Sequence, residues 1–267
     1  MTDFFSYLQG LDIFSWQIIS LLLVAGFMVG FINTMAGSGT VITYSLFMAL
    51  GLSPQMANGT IRLGVIMQTL SASFNFKKHN ILDLKQGLWY GIPVMFGSIT
   101  GAQIAVSINK EIFEIIIGII MLIMLVFILL KPERWIKGKH SGKRKKPGLV
   151  LILIFYLIGV YGGFIHIGVG IFLLAALVIN AGYDLLTANA LKVFIVLLYS
   201  PFALAVFMFY GHVHYVLGSI AAIGNVAGGY VASKYALSWG AGIIRWILVV
   251  VILLFASKLL GLYNLFL

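Results

Sequence analysis

Long apolar stretches, separated by short polar connections, make up most of this chain. Eight of them approach the roughly 20 residues that an α-helix needs to cross the hydrocarbon core of a bilayer. They cover residues 15–35, 54–76, 86–108, 112–130, 149–166, 185–210, 214–233 and 241–261. The pattern predicts an all-α polytopic membrane protein.

Two further apolar stretches, 38–51 and 168–181, are shorter. About 14 residues at 1.5 Å each rise only about 21 Å, less than the roughly 30 Å of a hydrocarbon core. The glycine pairs at their starts are Gly37 with Gly39 and Gly168 with Gly170. Both stretches are therefore predicted to be short helices, broken at glycine, that do not span comfortably.

The second half of the sequence repeats the first. A shift of 131 residues places the first glycine pair on the second, Gly51 on Gly182, and Ala57-Asn58 on Ala188-Asn189. A shift of 127 aligns Gly91, Gly97, Gly101 and Ala105 with Gly218, Gly224, Gly228 and Ala232. Five segments per half is an odd number, so the second half should enter the membrane upside down. Inverted repeats are a transporter architecture, with the binding site near the midplane where the repeats meet.

Charge supports this organisation. Only 9% of the residues are charged, against roughly a quarter in a soluble domain. The net charge of +10 does not indicate a nucleic-acid partner, because eight of the 17 basic residues lie between 131 and 148. That stretch reads as a cytoplasmic loop obeying the positive-inside rule. An alternative for its Lys131–Lys146 part is binding of anionic lipid head groups.

These charges predict three parts and an orientation. Residues 1–130 form a first membrane repeat, 131–148 a basic cytoplasmic loop, and 149–267 an inverted second repeat. Counting back from the loop places the N-terminus, with Asp3 and Asp12, outside the cell (inner or plasma) membrane. The N-terminus lacks the basic region of a signal peptide, so the first span is retained. A homo-oligomer is compatible with this arrangement.

The two glycine breaks are candidates for a binding site. A helix that begins inside the membrane directs unpaired N–H groups and a positive dipole end inward. Two such starts would converge on one anion, and glycine would let the backbone approach it closely. The candidate positions are Gly37, Ser38, Gly39, Gly168 and Gly170. The alternative is that these glycines only permit tight helix packing.

Two cations inside apolar helices are further candidates. Arg62 and Lys192 each lie about 12 Å along a predicted helix. Asn58 is four residues before Arg62 and Asn189 three before Lys192, so each amide shares a face with its cation. A cation inside the membrane is costly and is a functional hypothesis by default. The alternative is snorkelling of the side chain toward an interface.

Acidic and neutral polar residues narrow the chemistry. None of the seven acidic residues falls deep within a predicted span, and core cations without core carboxylates favour an anionic substrate over a metal cation. His166, two residues before Gly168, is a candidate for substrate binding or proton transfer, and equally for simple packing. Four polar residues either line a path or join helices: Asn33, Gln68, Gln103 and Asn225.

Two segments carry a resemblance to a known family. GFINTMAGSGTVITYSLFMALGLSPQMANGTIR, from Gly30 to Arg62, resembles the first-half signature of the TauE/SafE family of membrane permeases. GGFIHIGVGIFLLAALVINAGYDLLTANALK, from Gly162 to Lys192, resembles that family's second repeat. The resemblance extends over nearly the whole chain. It implies export of sulfite or a small organosulfonate such as sulfoacetate.

The sequence therefore predicts a secondary permease that moves a small anion outward by alternating access. There is no cysteine for a disulfide or thiolate metal site and no GxxxxGK[ST] nucleotide-binding motif. No cofactor or metal is expected. One alternative is an intramembrane hydrolase with a Ser38–His166 dyad, although Ala36 stands where a rhomboid-like GxSG needs its first glycine. The other is a non-transporting subunit of a larger complex, in which the buried cations would serve no purpose.

Overall fold

The computed structural model describes residues 9–35, 37–129 and 148–235, with side chains in the second range to residue 123. These residues form helices and no strand, which confirms the all-α prediction. In chain order they are α1 (Trp16–Met35), α2 (Thr40–Ala49), α3 (Pro54–Lys78), α4 (Leu84–Ser107), α5 (Lys110–Leu129), α6 (Leu149–Phe164), α7 (Val169–Ala175, continued by the π-helical segment Ala176–Asn180), α8 (Leu185–Phe209) and α9 (Tyr215–Tyr235). The predicted span 241–261 and the basic loop up to residue 147 lie outside the described residues.

Among the described helices, α1, α8 and α9 are long and apolar enough to cross a membrane. The α3 helix has 25 residues, but buried polar side chains such as Asn58, Arg62 and Gln68 lower its hydropathy. The α2 and α7 helices are short, as the sequence predicts. Large apolar side chains are exposed around the outside of the bundle, among them Phe74, Trp89, Phe96 and Ile223. Such a surface is suited to lipid.

Helices α3 and α8 begin in the same way. The Ser53 hydroxyl accepts a hydrogen bond from the Met56 N–H at the start of α3. At the start of α8, the Asp184 carboxylate accepts one from the Thr187 N–H, at 2.9 Å. These side chains satisfy N–H groups that have no partner within the first helical turn. Ser53 and Asp184 are 131 residues apart, and both helices contain 25 residues.

The first helix of each half packs along the fourth helix of the other half: α1 along α9, and α6 along α4. Glycines make both contacts possible. A Cβ atom added at Gly101 would overlap the carbonyl oxygen of Val160 in α6, and one added at Gly228 would overlap that of Phe27 in α1. Helices α3 and α8 contact each other at the centre, and α3 also packs on α9 and α8 on α4. The two halves are therefore interleaved, with α3 and α8 between the crossed pairs.

Candidate functional site

The two glycine breaks adopt the same backbone conformation and touch each other. Gly37 has φ +79° and Gly168 has φ +74°, values in a left-handed region that side chains disfavour. Gly37 lies directly against Gly170, and a Cβ atom added at Gly170 would be 2.5 Å from the Gly37 Cα atom. The breaks before α2 and α7 therefore meet inside the protein.

A small buried cavity adjoins this contact. It is lined by Asn33, Gly37, Gln68, Thr69, His166, Val169, Gly170, Lys192, Val193 and Val196. The centre of a water molecule has about 10 Å³ in which to move, which is room for about one water. Any larger solute requires the surrounding helices to separate.

Lys192 is the cation at this cavity, and it also holds the end of α1. Its side chain is 1% exposed, and its Nζ atom donates to the carbonyl oxygens of Asn33 at 3.1 Å and Thr34 at 3.0 Å. The last carbonyls of a helix have no partner within the helix, and a cation there also complements the negative end of the helix dipole. An ammonium group has three N–H donors, so one remains beyond these two bonds.

Arg62 plays the corresponding part at the end of α6. Both of its terminal nitrogens donate to the Gly162 carbonyl oxygen, and Nη2 also donates to that of Gly163 at 2.6 Å. Asn58 Nδ2 donates to the next carbonyl, that of Phe164, at 2.7 Å. The guanidinium lies 4.8 Å from the centroid of the Phe207 ring, within the range of a cation–π interaction. Each buried cation therefore binds the C-terminal end of the first helix of the other half.

The family profile described as "Sulfite exporter TauE/SafE" matches residues 22–259. The chain belongs to the TauE/SafE family. This TauE/SafE protein is 29% identical to the probable membrane transporter protein ORF9 of Sinorhizobium sp., over 92% of this chain and 94% of that one. It is 27% identical to the probable membrane transporter protein YfcA of Escherichia coli (strain K12), over 91% of this chain and 90% of that one. No solved structure matches the chain.

These findings confirm the resemblance predicted from the two glycine-rich segments. A third relative, a probable membrane transporter protein of Haemophilus influenzae, is 26% identical over 91% of this chain and 94% of its own. The relatives are named as membrane transporters over almost their full length, and the chain carries apolar helices long enough to span. This TauE/SafE protein is a multi-pass membrane protein of a transporter family.

Amide side chains complete one wall of the cavity of this TauE/SafE protein. The Thr40 N–H, at the start of α2, donates to Asn33 Oδ1 at 3.2 Å. Asn33 Nδ2 donates to Gln68 Oε1, and Gln68 Nε2 donates to the Thr34 hydroxyl oxygen, both at 3.4 Å. The chain of bonds joins the end of α1, the start of α2 and the middle of α3. It ties the first glycine break to the cavity wall.

His166 lies on the opposite side, at the second break. Its Nδ1 atom is 2.9 Å from the Tyr199 hydroxyl oxygen, and the structure gives Nε2 no hydrogen-bond partner among the described residues. The neighbouring Tyr161 hydroxyl donates to the Ile167 carbonyl oxygen at 2.6 Å, which fixes the backbone next to His166. No hydrogen bond within the described ranges joins His166 to Ser38, the pairing that the hydrolase alternative requires.

The structure brings four of the ten candidate site residues to the cavity: Gly37, His166, Gly170 and Lys192. Ser38, Gly39 and Gly168 belong to the two breaks without lining it, while Asn58 and Arg62 bind the end of α6. Asn189 lies one turn before Lys192 and its amide oxygen is buried without a partner. Sequence analysis did not select Thr69, Val169, Val193 and Val196. Val193 and Val196 follow Asn189 at helical spacing, a signal that alone does not separate a cavity wall from ordinary core.

Proposed function

We propose that this protein is a secondary transporter that moves a small anion, sulfite or an organosulfonate, outward across the cell membrane by alternating access. The observation that carries the proposal is the cavity between the two glycine breaks. It contains the Lys192 ammonium group, and no Asp or Glu among the described residues lines it. The family's printed description, sulfite exporter, is consistent with this substrate class.

The side chains at the cavity suit an oxyanion. Lys192 has one N–H beyond its two carbonyl bonds, and Thr69 and the amides of Asn33 and Gln68 are hydrogen-bonding groups at the same wall. Hydrogen bonds between an ammonium group and an anion are stronger than those between neutral groups. A metal cation would meet Lys192 without a carboxylate to offset it. The cavity therefore favours negative charge.

Alternating access is supported by the parallels between the two halves. Positions 131 apart share the left-handed glycines at both breaks, the capped starts of α3 and α8, and a cation on the end of the other half's first helix. Gln68 lies about 21 Å along α3 and Lys192 about 11 Å along α8 at 1.5 Å per residue. If α3 and α8 enter from opposite faces of a core about 30 Å thick, both residues reach a similar depth. That depth is where inverted repeats place their substrate.

The proposed orientation follows from the basic residues. With residues 131–148 in the cytoplasm, residues 1–130 and 149–267 form the two inverted repeats and the N-terminus lies outside. A negative-inside potential supplies about 2.3 kcal/mol per unit charge per 100 mV. It drives an anion outward without an obligatory coupling ion. The Lys131–Lys146 loop would face anionic lipid on the cytoplasmic surface.

The test is transport by the purified protein in liposomes. Sulfite and sulfoacetate flux are measured under an imposed potential for the parent, Lys192→Gln and Lys234→Gln. Lys234 is an exposed cation in the last turn of α9 and serves as the matched control. We expect potential-dependent flux in the parent and Lys234→Gln, and loss of at least about tenfold in Lys192→Gln, because bonds from charged donors are the strong ones. Folded protein that moves no small sulfur or carboxylate anion would refute the proposal and favour a subunit role.

A further inference from the structure

The two helix-end cations are held differently, although their positions in the repeats correspond. Arg62 and Asn58 together bind three consecutive carbonyls at the end of α6, those of Gly162, Gly163 and Phe164. At the end of α1, Lys192 alone binds two. Asn189, which corresponds to Asn58, makes no hydrogen bond to α1 within the described residues, and its Oδ1 atom has no partner. The end of α1 is the less firmly bound of the two.

The two cations also differ in what else they face. Lys192 lines the cavity, whereas Arg62 does not, and the Phe207 ring lies over the Arg62 guanidinium. A guanidinium is a planar fork of five donors that suits several fixed acceptors at once. An ammonium group is a compact charge on a flexible stem. Lys192 is therefore the cation that has both access to a solute and freedom to turn toward it.

We propose that Lys192 exchanges between the α1 carbonyls and the transported anion, while Arg62 remains bound to α6 as a positioning residue. The inference rests on the proposed function and assigns the two halves different roles. The end of α1 responds to substrate, and the end of α6 is the fixed support against which it moves.

Electrostatics couples the exchange to movement. The C-terminal end of a helix carries partial negative charge on its free carbonyls, so an anion in the cavity and the end of α1 both require the same Lys192 ammonium group. The anion is the stronger acceptor. Once Lys192 has turned to it, the Asn33 and Thr34 carbonyls lose their cation and face a negative charge. The end of α1 is then driven away from the cavity, which has room for only about one water while closed.

The chain has no cysteine, so one introduced cysteine reports on one position. Thr34 and Ile165 are 131 residues apart, at the ends of α1 and α6, and both are fully buried. Thiol modification of Thr34→Cys and Ile165→Cys is followed with and without sulfoacetate, since sulfite itself attacks thiol reagents. We expect sulfoacetate to accelerate modification at position 34 by about tenfold, a typical coupling between two sites, and to leave position 165 unchanged. Equal acceleration at both positions, or at neither, would overturn the inference.

Two further variants assign the effect to the cations. In the Thr34→Cys protein, Lys192→Met should abolish the response to sulfoacetate, whereas Arg62→Lys should preserve it and lower the melting temperature. A response that survives Lys192→Met contradicts the exchange. Loss of the response in folded Arg62→Lys contradicts the positioning role of Arg62.

Hydrogen–deuterium exchange provides a comparison that needs no substitution. Amides over residues 32–35 should exchange faster when the parent protein is given the anion it moves, sulfoacetate or sulfite, and amides over 162–165 should not. If the parent moves neither anion, the proposed function fails and this inference fails with it. If it moves one of them while both helix ends respond alike, only the inference fails.

Discussion

Gly37 and Gly170 lie against each other, so the two helix breaks share a single point of contact at the centre of the protein. A Cβ atom on Gly170 would be 2.5 Å from the Gly37 Cα atom, and one on Gly37 would overlap Gly170. Real side chains do not tolerate such an approach, so the backbone itself would have to move. The contact fixes the position of the cavity wall that both glycines line.

Gly170→Ala should therefore lower both stability and transport. Overpacking of this kind costs about 1–3 kcal/mol, and the strain falls directly on the cavity. Gly170 does not have a positive φ, so the variant tests packing without backbone strain. Thermal unfolding in detergent and flux in liposomes measure the two effects.

Gly148→Ala is the control for that variant. Gly148 has nothing within 4 Å of an added Cβ atom and a φ of −85° that alanine adopts freely. Gly148→Ala should match the parent in both measurements. A Gly170→Ala protein that also matches the parent would show that the breaks separate easily.

The two corresponding asparagines should differ in their effect on stability. Asn58→Ala leaves the Phe164 carbonyl oxygen without the donor that lies 2.7 Å away. A buried polar group left unpaired costs about 1–3 kcal/mol. Asn189→Ala breaks no hydrogen bond to α1 and removes a buried oxygen that has no partner, so its loss should be smaller. Denaturant unfolding followed by tryptophan fluorescence compares them, and a larger loss for Asn189→Ala would contradict the unequal fastening of the two helix ends.

Asp184 should give the protein a dependence on acid that a serine would not. Partial burial acts to raise the pKa of Asp184, but hydrogen bonds from the Thr187 N–H, the Thr187 hydroxyl and nearby backbone N–H groups outweigh it, and the pKa is lowered. A carboxyl whose pKa is lowered by folding stabilises the protein above its unfolded-state pKa. The contribution is lost as the pH falls through the folded-state pKa.

Asp184→Ser provides the comparison, because the corresponding position in the first half is Ser53. A serine cap does not titrate. The advantage of the parent over Asp184→Ser in melting temperature should therefore shrink from about pH 5 toward pH 3. Parallel melting curves across that range would contradict the prediction. Asp184→Ala, which removes the cap, should lose about 1 kcal/mol at neutral pH.

The inverted orientation is testable with the same absence of cysteine. His79 follows α3 and Tyr210 follows α8; they are 131 residues apart and both are exposed. In intact cells, an impermeant maleimide should label Tyr210→Cys readily and His79→Cys only after permeabilisation. Labelling of both from the same side would rule out inverted repeats, since α3 and α8 would then run in the same direction.

Local pattern was sufficient for the helices. The predicted stretch 54–76 became Pro54–Lys78, and 185–210 became Leu185–Phe209. Both starts carry signals within four residues of sequence, a Ser or Asp cap and, for α3, a proline in the first turn. The glycine breaks at Gly37 and Gly168 were also evident, because a left-handed residue that interrupts an apolar run is almost always glycine.

Residue type and spacing also selected Arg62 and Lys192, since a cation deep in an apolar helix is rarely without a role. The sequence by itself thus determined the helical class, the short broken segments, the family and the residues in which charge is buried. What those cations bind was decided by tertiary structure. Arg62 reaches Gly162 and Gly163, about 100 residues away, and Lys192 reaches Thr34, 158 residues away.

The physical reason is that helix ends and cavities are made by packing between distant segments. No local pattern states that α1 lies along α9 or that α6 lies along α4. Only that crossed packing brings each helix end to the cation of the other half. It also places Lys192, and not Arg62, at the cavity, a difference that two corresponding positions in a repeated sequence do not express.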